Sequence, residues 1–137
     1  MRRAILLLTV MAVTLVVVAG VALAASITGN NQANTLTGTV NSDKIAGGGG
    51  NDTIDGKQGN DFLFGDHGNS DTLIGGADDD FINSADGIGG DQVNAGSGND
   101  ICIVDEGDTI NSTVVPATHV PGTPLASCEE VYVVPNP

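Results

Sequence analysis

From Gly47 to Phe64 the chain reads GGGGNDTIDGKQGNDFLF, two nine-residue units laid end to end. In each unit glycines precede an Asn-Asp pair, and an aliphatic residue follows two positions after the Asp: Asp52 then Ile54, Asp61 then Leu63. Nine residues are too few for a helical hairpin but enough for a tight turn and a short strand, so the repeat constrains the fold more than any other feature. With the Asp counted as position six, units begin at Gly29, Gly38, Gly47, Gly56, Gly65, Gly75, Ser84, Ala95 and Val104. Position six is then Asn34, Asp43, Asp52, Asp61, Asp71, Asp80, Asp91, Asp100 and Asp108. Position eight is Leu36, Ile45, Ile54, Leu63, Leu73, Ile82, Val93, Cys102 and Ile110, apolar or Cys throughout. Turn-forming composition explains Gly, Asp and Asn in abundance. It does not explain their fixed phase.

The unit has a chemical logic. Position eight points to one side of a three-residue strand, and positions seven and nine to the other. Glycine at positions one, two and four is expected to let the turn adopt positive φ and bring its carbonyl oxygens inward. Asp at position six adds a carboxylate to those oxygens. Calcium takes about six to eight such oxygen ligands, more than one turn can offer but within reach of two stacked turns. The acids stand in register with the aliphatic residues, which a disordered acidic segment would not require.

These units resemble the glycine- and aspartate-rich nonapeptide GGxGxDxUx (U a large aliphatic) of RTX, or hemolysin-type, calcium-binding proteins. The resemblance covers residues 29–111 and is cleanest in the units at Gly47 and Gly56. Unit Gly65 has one extra residue, unit Ser84 has two, and unit Val104 is one short. Asp78 stands where the fourth-position glycine of unit Gly75 belongs. The resemblance implies an all-β fold, a calcium-bound parallel β-roll in which two units make one coil. One edge would then carry Asp43, Asp61, Asp80 and Asp100, and the other Asn34, Asp52, Asp71, Asp91 and Asp108. Calcium ions would lie between adjacent turns, bridged by these carboxylates and by carbonyls such as those of Gly48, Gly50 and Gly59. One aliphatic side chain per unit is a thin core, so metal binding is expected to be coupled to folding.

The chain ends differ in kind from the repeat. Arg2 and Arg3, the apolar run Ala4 to Val18 and the small-x-small site Ala22-Leu23-Ala24 follow the grammar of a secretory signal peptide over residues 1–24. An uncleaved membrane anchor is the rival reading, since Ala4 to Ala25 is about long enough to span a bilayer. Either reading places the repeat outside the cytoplasm: secreted, at the cell surface or in the periplasm. The leader departs from the C-terminal export signal usual in the resembled family, whose exporter is therefore not implied. Cys102 and Cys128 are the only cysteines, and export makes a disulfide between them the expected state. Residues 112–137 form a Pro-broken tail ending in a strand-like run, Cys128 to Val134. Pinned by that bridge, the tail would cap the open end of the solenoid.

Beyond the leader only Lys44 and Lys57 stand against 17 acidic residues, a balance that argues against nucleic-acid binding. No metalloprotease, nucleophile-elbow or P-loop motif is present, and catalysis is not expected. Outward positions are asymmetric. Phe62, Phe64, Phe81, Ile101 and Ile103 fall on one outer face, and Thr, Gln and Asn dominate the other. Such an apolar face marks an interface, either with the tail or with a partner. The alternative function is accordingly an adhesin, matrix or ice-binding β-solenoid. Only Thr35/Thr37 offers the Thr-x-Thr pair that ice binding would want.

Overall fold

The structure is a computed structural model that describes residues 23–68, 70–111, 113–114, 122–125 and 127–137. The leader expected over residues 1–24 therefore lies almost wholly outside the described residues. Among the described residues there are thirteen strands in two sheets, alternating between them from β1 to β10. One sheet holds β1 (Ser26–Thr28), β3 (Lys44–Gly49), β5 (Phe62–His67), β7 (Phe81–Asn83), β9 (Ile101–Asp105), β13 (Cys128–Val134) and β12 (Thr123–Leu125), in that spatial order. The other runs β11 (Thr113–Val114), β10 (Thr109–Ile110), β8 (Gln92–Ser97), β6 (Thr72–Ala77), β4 (Thr53–Gln58) and β2 (Thr35–Thr37). Strands n and n+2 pair in parallel through the repeat, so two units make one coil. This is the parallel β-roll that the family resemblance implies. Among the described residues no helix is long and apolar enough to cross a membrane.

Position eight forms the core. Ile45, Ile54, Leu63, Leu73, Ile82, Val93, Cys102 and Ile110 are all buried between the sheets, with Ile27 and Leu36 packed on them at the N-terminal end. The register runs Ile27–Ile45–Leu63–Ile82–Cys102 in one sheet and Leu36–Ile54–Leu73–Val93–Ile110 in the other. The irregular units do not break it. Their extra residues fall in the turns, so Leu73 still pairs with Val93 although the two lie further apart in sequence than Ile45 and Leu63.

Two features differ from expectation. The longer strands have six residues rather than three, because ladder pairing continues past position nine into the next unit. Gly48 pairs with Asp66 and Lys57 with Gly76. Regular stacking keeps those N–H and C=O groups opposite partners, and pairing them avoids orphaned backbone. The described part of the tail also does not lie across the apolar outer face. β13 joins the edge of the sheet as one more parallel strand, Val131 opposite Cys102, and β12 closes that edge antiparallel. Val131 is buried beneath it. A strand with its own inward aliphatic residue gains more by extending the ladder than by lying over side chains. The Cys102–Cys128 disulfide is formed, with Cα atoms 6.0 Å apart.

Candidate metal centre

The turns hold their shape by two devices. In the central units position two takes left-handed φ, as at Gly48 (101°), and so do several fourth positions, as at Gly50 (102°). Lys57 (86°) and Asp78 (77°) keep that conformation in place of glycine, with a steric cost to a residue bearing Cβ, whereas Asn30, Gln32, Thr39 and Asn41 of the first two units do not adopt it. Position one, expected to share this need, does not: Gly47, Gly56, Gly65 and Gly75 are absent from the left-handed set. Space dictates glycine there. A Cβ on Gly47 would strike the Asp52 Oδ2 atom and stand 2.8 Å from the Gly65 carbonyl oxygen. On Gly56 it would strike Asp61 Oδ2 and stand 2.7 Å from the Gly75 carbonyl. A carboxylate oxygen and a main-chain oxygen of the next coil thus converge over a bare Cα.

Each carboxylate is fixed by a ladder bond to the coil before it. The Asn34 N–H donates to Asp52 Oδ1 at 2.8 Å, Asp43 N–H to Asp61 Oδ1 at 2.8 Å, and Asp52 N–H to Asp71 Oδ1 at 2.7 Å. Asp61 N–H continues to Asp80 Oδ1 at 2.9 Å, Asp71 to Asp91 at 2.7 Å, Asp80 to Asp100 at 2.9 Å and Asp91 to Asp108 at 3.0 Å. The carboxylates therefore form one column along each edge of the roll. Adjacent rungs are roughly 5 Å apart, as neighbouring strands are. Two unit charges at that distance repel by about 3 kcal/mol at an effective dielectric near 20.

These carboxylates are buried, every Asp from Asp43 to Asp108 at position six being 2% exposed or less. The second oxygen, Oδ2, has no hydrogen-bond partner in Asp52, Asp61, Asp80, Asp91 or Asp100. A buried unsatisfied acceptor costs about 1–3 kcal/mol, more for a charged group. Burial pushes Asp80 up to about 7, against the hydrogen bond from Asp61 and with repulsion from Asp61, Asp100 and Asp78. Burial likewise pushes Asp91 up to about 7, aided by Asp108, Asp71 and Asp86 and opposed by the Asp71 N–H. Asp61, Asp71, Asp100 and Asp108 are raised for the same first reason. Asp43 goes the other way. Burial would raise it, but N–H bonds from Ala25 and Thr39 and the Thr39 hydroxyl together outweigh burial.

The residues read from sequence as ligands fall where the two-unit coil puts them. Asp43, Asp61, Asp80 and Asp100 line one edge together with Gly59. Asp52, Asp71, Asp91 and Asp108 line the other with Gly48 and Gly50. They are not equivalent. Asp108 is saturated by the N–H groups of Gly90, Asp91 and Asp105 and by the Ser84 hydroxyl. Two acids that the repeat phase did not single out also join the edges. Asp105 is buried, its Oδ2 accepting from Asp86 and Gly87 and its Oδ1 unpartnered. Glu129 accepts the Asp100 N–H at 2.7 Å, and its one sequence signal is the aliphatic Val131 two positions on.

This donor set suits a hard cation. It offers anionic and carbonyl oxygens, both cysteines are in the disulfide, and no three acid, histidine or cysteine side chains converge among the described residues. A bound ion would therefore draw on carboxylates and main-chain carbonyls together, as calcium does. A parallel β-roll with a column of buried, half-satisfied carboxylates along each edge defines a class of cation-binding solenoid. The family model for the RTX calcium-binding nonapeptide repeat matches in four copies, over residues 28–63, 67–89 and 86–110. The chain belongs to this family, whose repeats bind calcium. Searches of curated proteins and of solved structures return no match.

Proposed function

We propose that the protein is a secreted, non-catalytic module in which calcium binding drives folding of the roll. The observation that carries this reading is the set of five buried Oδ2 atoms without partners, on Asp52, Asp61, Asp80, Asp91 and Asp100. Without a cation each is a penalty, and the column repels itself. With one, the same oxygens become ligands. Asp71 belongs to the same column, whereas Asp43 and Asp108 already spend their oxygens on protein donors and contribute less. Secretion rests on the leader grammar of residues 1–24 and accords with a disulfide, which persists in oxidising compartments. The non-catalytic reading is supported by a sequence without a metalloprotease, nucleophile-elbow or P-loop motif.

Far-UV circular dichroism of the purified protein tests the coupling. Calcium should induce the β spectrum and chelator should abolish it, with a midpoint of about 10⁻⁴–10⁻³ M, the range of extracellular calcium modules. Asp61→Asn should raise that midpoint several-fold, whereas Asp66→Asn, at an exposed position with φ of 66°, should leave it nearly unchanged. A chain that stays fully β-rich in chelator contradicts the coupling.

A second reading, adhesion or partner binding, is favoured by the outer face. Phe62 is 51% exposed, its ring 5.8 Å from that of Phe81, which lies 6.0 Å from Phe64. Ile101 and Ile103 continue the face in register. If this face binds, Phe62→Ser should weaken retention on a hydrophobic surface without changing calcium uptake. Equal retention of the two forms would count against it.

A further inference from the structure

Beyond the matched repeats, the tail strand β13 reproduces the repeat's own chemistry. Its register sets Glu130 opposite Ile101, Val131 opposite Cys102 and Tyr132 opposite Ile103. Val131, buried in the core, thus occupies a position eight, which makes Glu129 a position six. Two independent hydrogen bonds agree. The Asp100 N–H donates to Glu129 Oε2 at 2.7 Å, as each position-six N–H before it donates to the next carboxylate. The Glu130 N–H donates to the Asp100 carbonyl at 3.1 Å, as Ile101 N–H does to Asp80 at 2.9 Å. Beside Glu129, the fully buried Asp100 keeps its Oδ2 without a partner.

We propose that Glu129 is an additional calcium ligand, completing with Asp100 a site at the C-terminal end of this edge. The proposal rests on the calcium reading above. Two carboxylates one rung apart repel, with Asp100 fully buried and Glu129 exposed, and among the described residues no basic side chain pairs with either. Among the described residues the basic side chains are Lys44, Lys57 and His67. Lys57 pairs with Asp55, and Lys44 lies over the Phe64 ring. The hydrogen bond from Asp100 to Glu129 spans 29 residues rather than the 18 to 20 of the repeat bonds on this edge, so no repeat phase reaches it. What sets it in place is the disulfide, because Cys128 immediately precedes Glu129 and is bonded to Cys102 on the adjacent strand. The site is therefore redox-dependent: reduction frees the segment that carries the ligand.

Calcium counting by equilibrium dialysis on the purified protein tests this. Glu129→Gln keeps an acceptor for the Asp100 N–H but removes the charge. It should bind one calcium ion fewer per chain at concentrations that saturate the wild type. Reducing the wild-type disulfide should cause the same loss. Wild-type binding that is unchanged in number and affinity by Glu129→Gln overturns the proposal alone, and a wild type that takes up no calcium overturns the calcium reading with it. Should the variant fail to fold, anomalous scattering from a calcium-loaded wild-type crystal decides. An ion bound to Glu129 supports the site, and ions elsewhere with none at Glu129 overturn it.

Discussion

Gly47 and Gly49 stand two residues apart in one turn and answer to different constraints. A Cβ on Gly47 meets the Asp52 carboxylate and the Gly65 carbonyl, neither of which can move without disturbing a rung. On Gly49 the nearest atoms are 3.4 Å away, and its φ is not left-handed. Gly47→Ala should therefore cost about 1–3 kcal/mol, in the manner of overpacking. Gly49→Ala should be neutral or gain up to about 1 kcal/mol by restricting the unfolded chain. Urea midpoints in saturating calcium measure both, and equal midpoints would refute the assignment of position one to packing. Lys57, Asp66 and Asp78 make the complementary point. They hold side chains in left-handed backbone, which is costly but possible. A Cβ on Gly48, by contrast, would stand 2.6 Å from the Asn30 carbonyl oxygen and one on Gly76 would strike that of Lys57, so glycine there answers to φ and to space together.

At the scale of elements, strands and turn edges divide the work. The strands carry one aliphatic column and tolerate irregular units because additions fall in the turns. The edges carry charge, and their titration gives a signed expectation. Asp80 and Asp91 have folded-state pKa values of about 7, above the ordinary 3.8. The calcium-free fold thus binds more protons than the unfolded chain. Stability from these groups is fully present below the unfolded value and is lost as pH rises through about 7. Calcium-free protein taken from about pH 8 to about pH 5.5 should gain β-structure by circular dichroism. In calcium the dependence reverses, since protons compete with the ion for the same oxygens. A calcium-free signal flat across this range would show that the carboxylate columns do not limit folding.

For the whole molecule, the decisive feature is how a solenoid ends. At one end of the first sheet β1 leaves Ile27 half-buried, and at the other β13 and β12 close the edge. The second sheet ends in β11, antiparallel to β10. The end strands are short, two residues in β11 and three in β12, and offer little of the pairing that a long open edge would invite. The disulfide closes a loop of 26 residues, for which chain entropy gives roughly 3–4 kcal/mol. Cys128→Ser should leave calcium-induced β-structure but fray β13 and β9, so that protease cuts appear beyond Asp100. Mass spectrometry of the fragments reads this out, and a wild-type cleavage pattern in the variant would remove the disulfide from the capping scheme.

The repeat phase by itself determined the inward column from Leu36 to Ile110 and set Asp52, Asp61 and their counterparts at one position of each unit, because a period held over many units fixes which residues are equivalent. The two-unit coil, and with it the division of those acids between two edges, was what the family resemblance implied. The pairing of Cys102 with Cys128 was legible for a simpler reason, there being no other cysteines. Tertiary structure decided the rest. Which carboxylates are saturated depends on donors from other coils, such as Ala25 for Asp43 or Gly90 and Ser84 for Asp108, and no spacing encodes them. That position-one glycine serves packing is visible only once the next coil lies above it. The place of Glu129 beside Asp100 follows from a strand brought back across a long connection, where sequence distance carries no register and the disulfide and the hydrogen bonds of β13 set it.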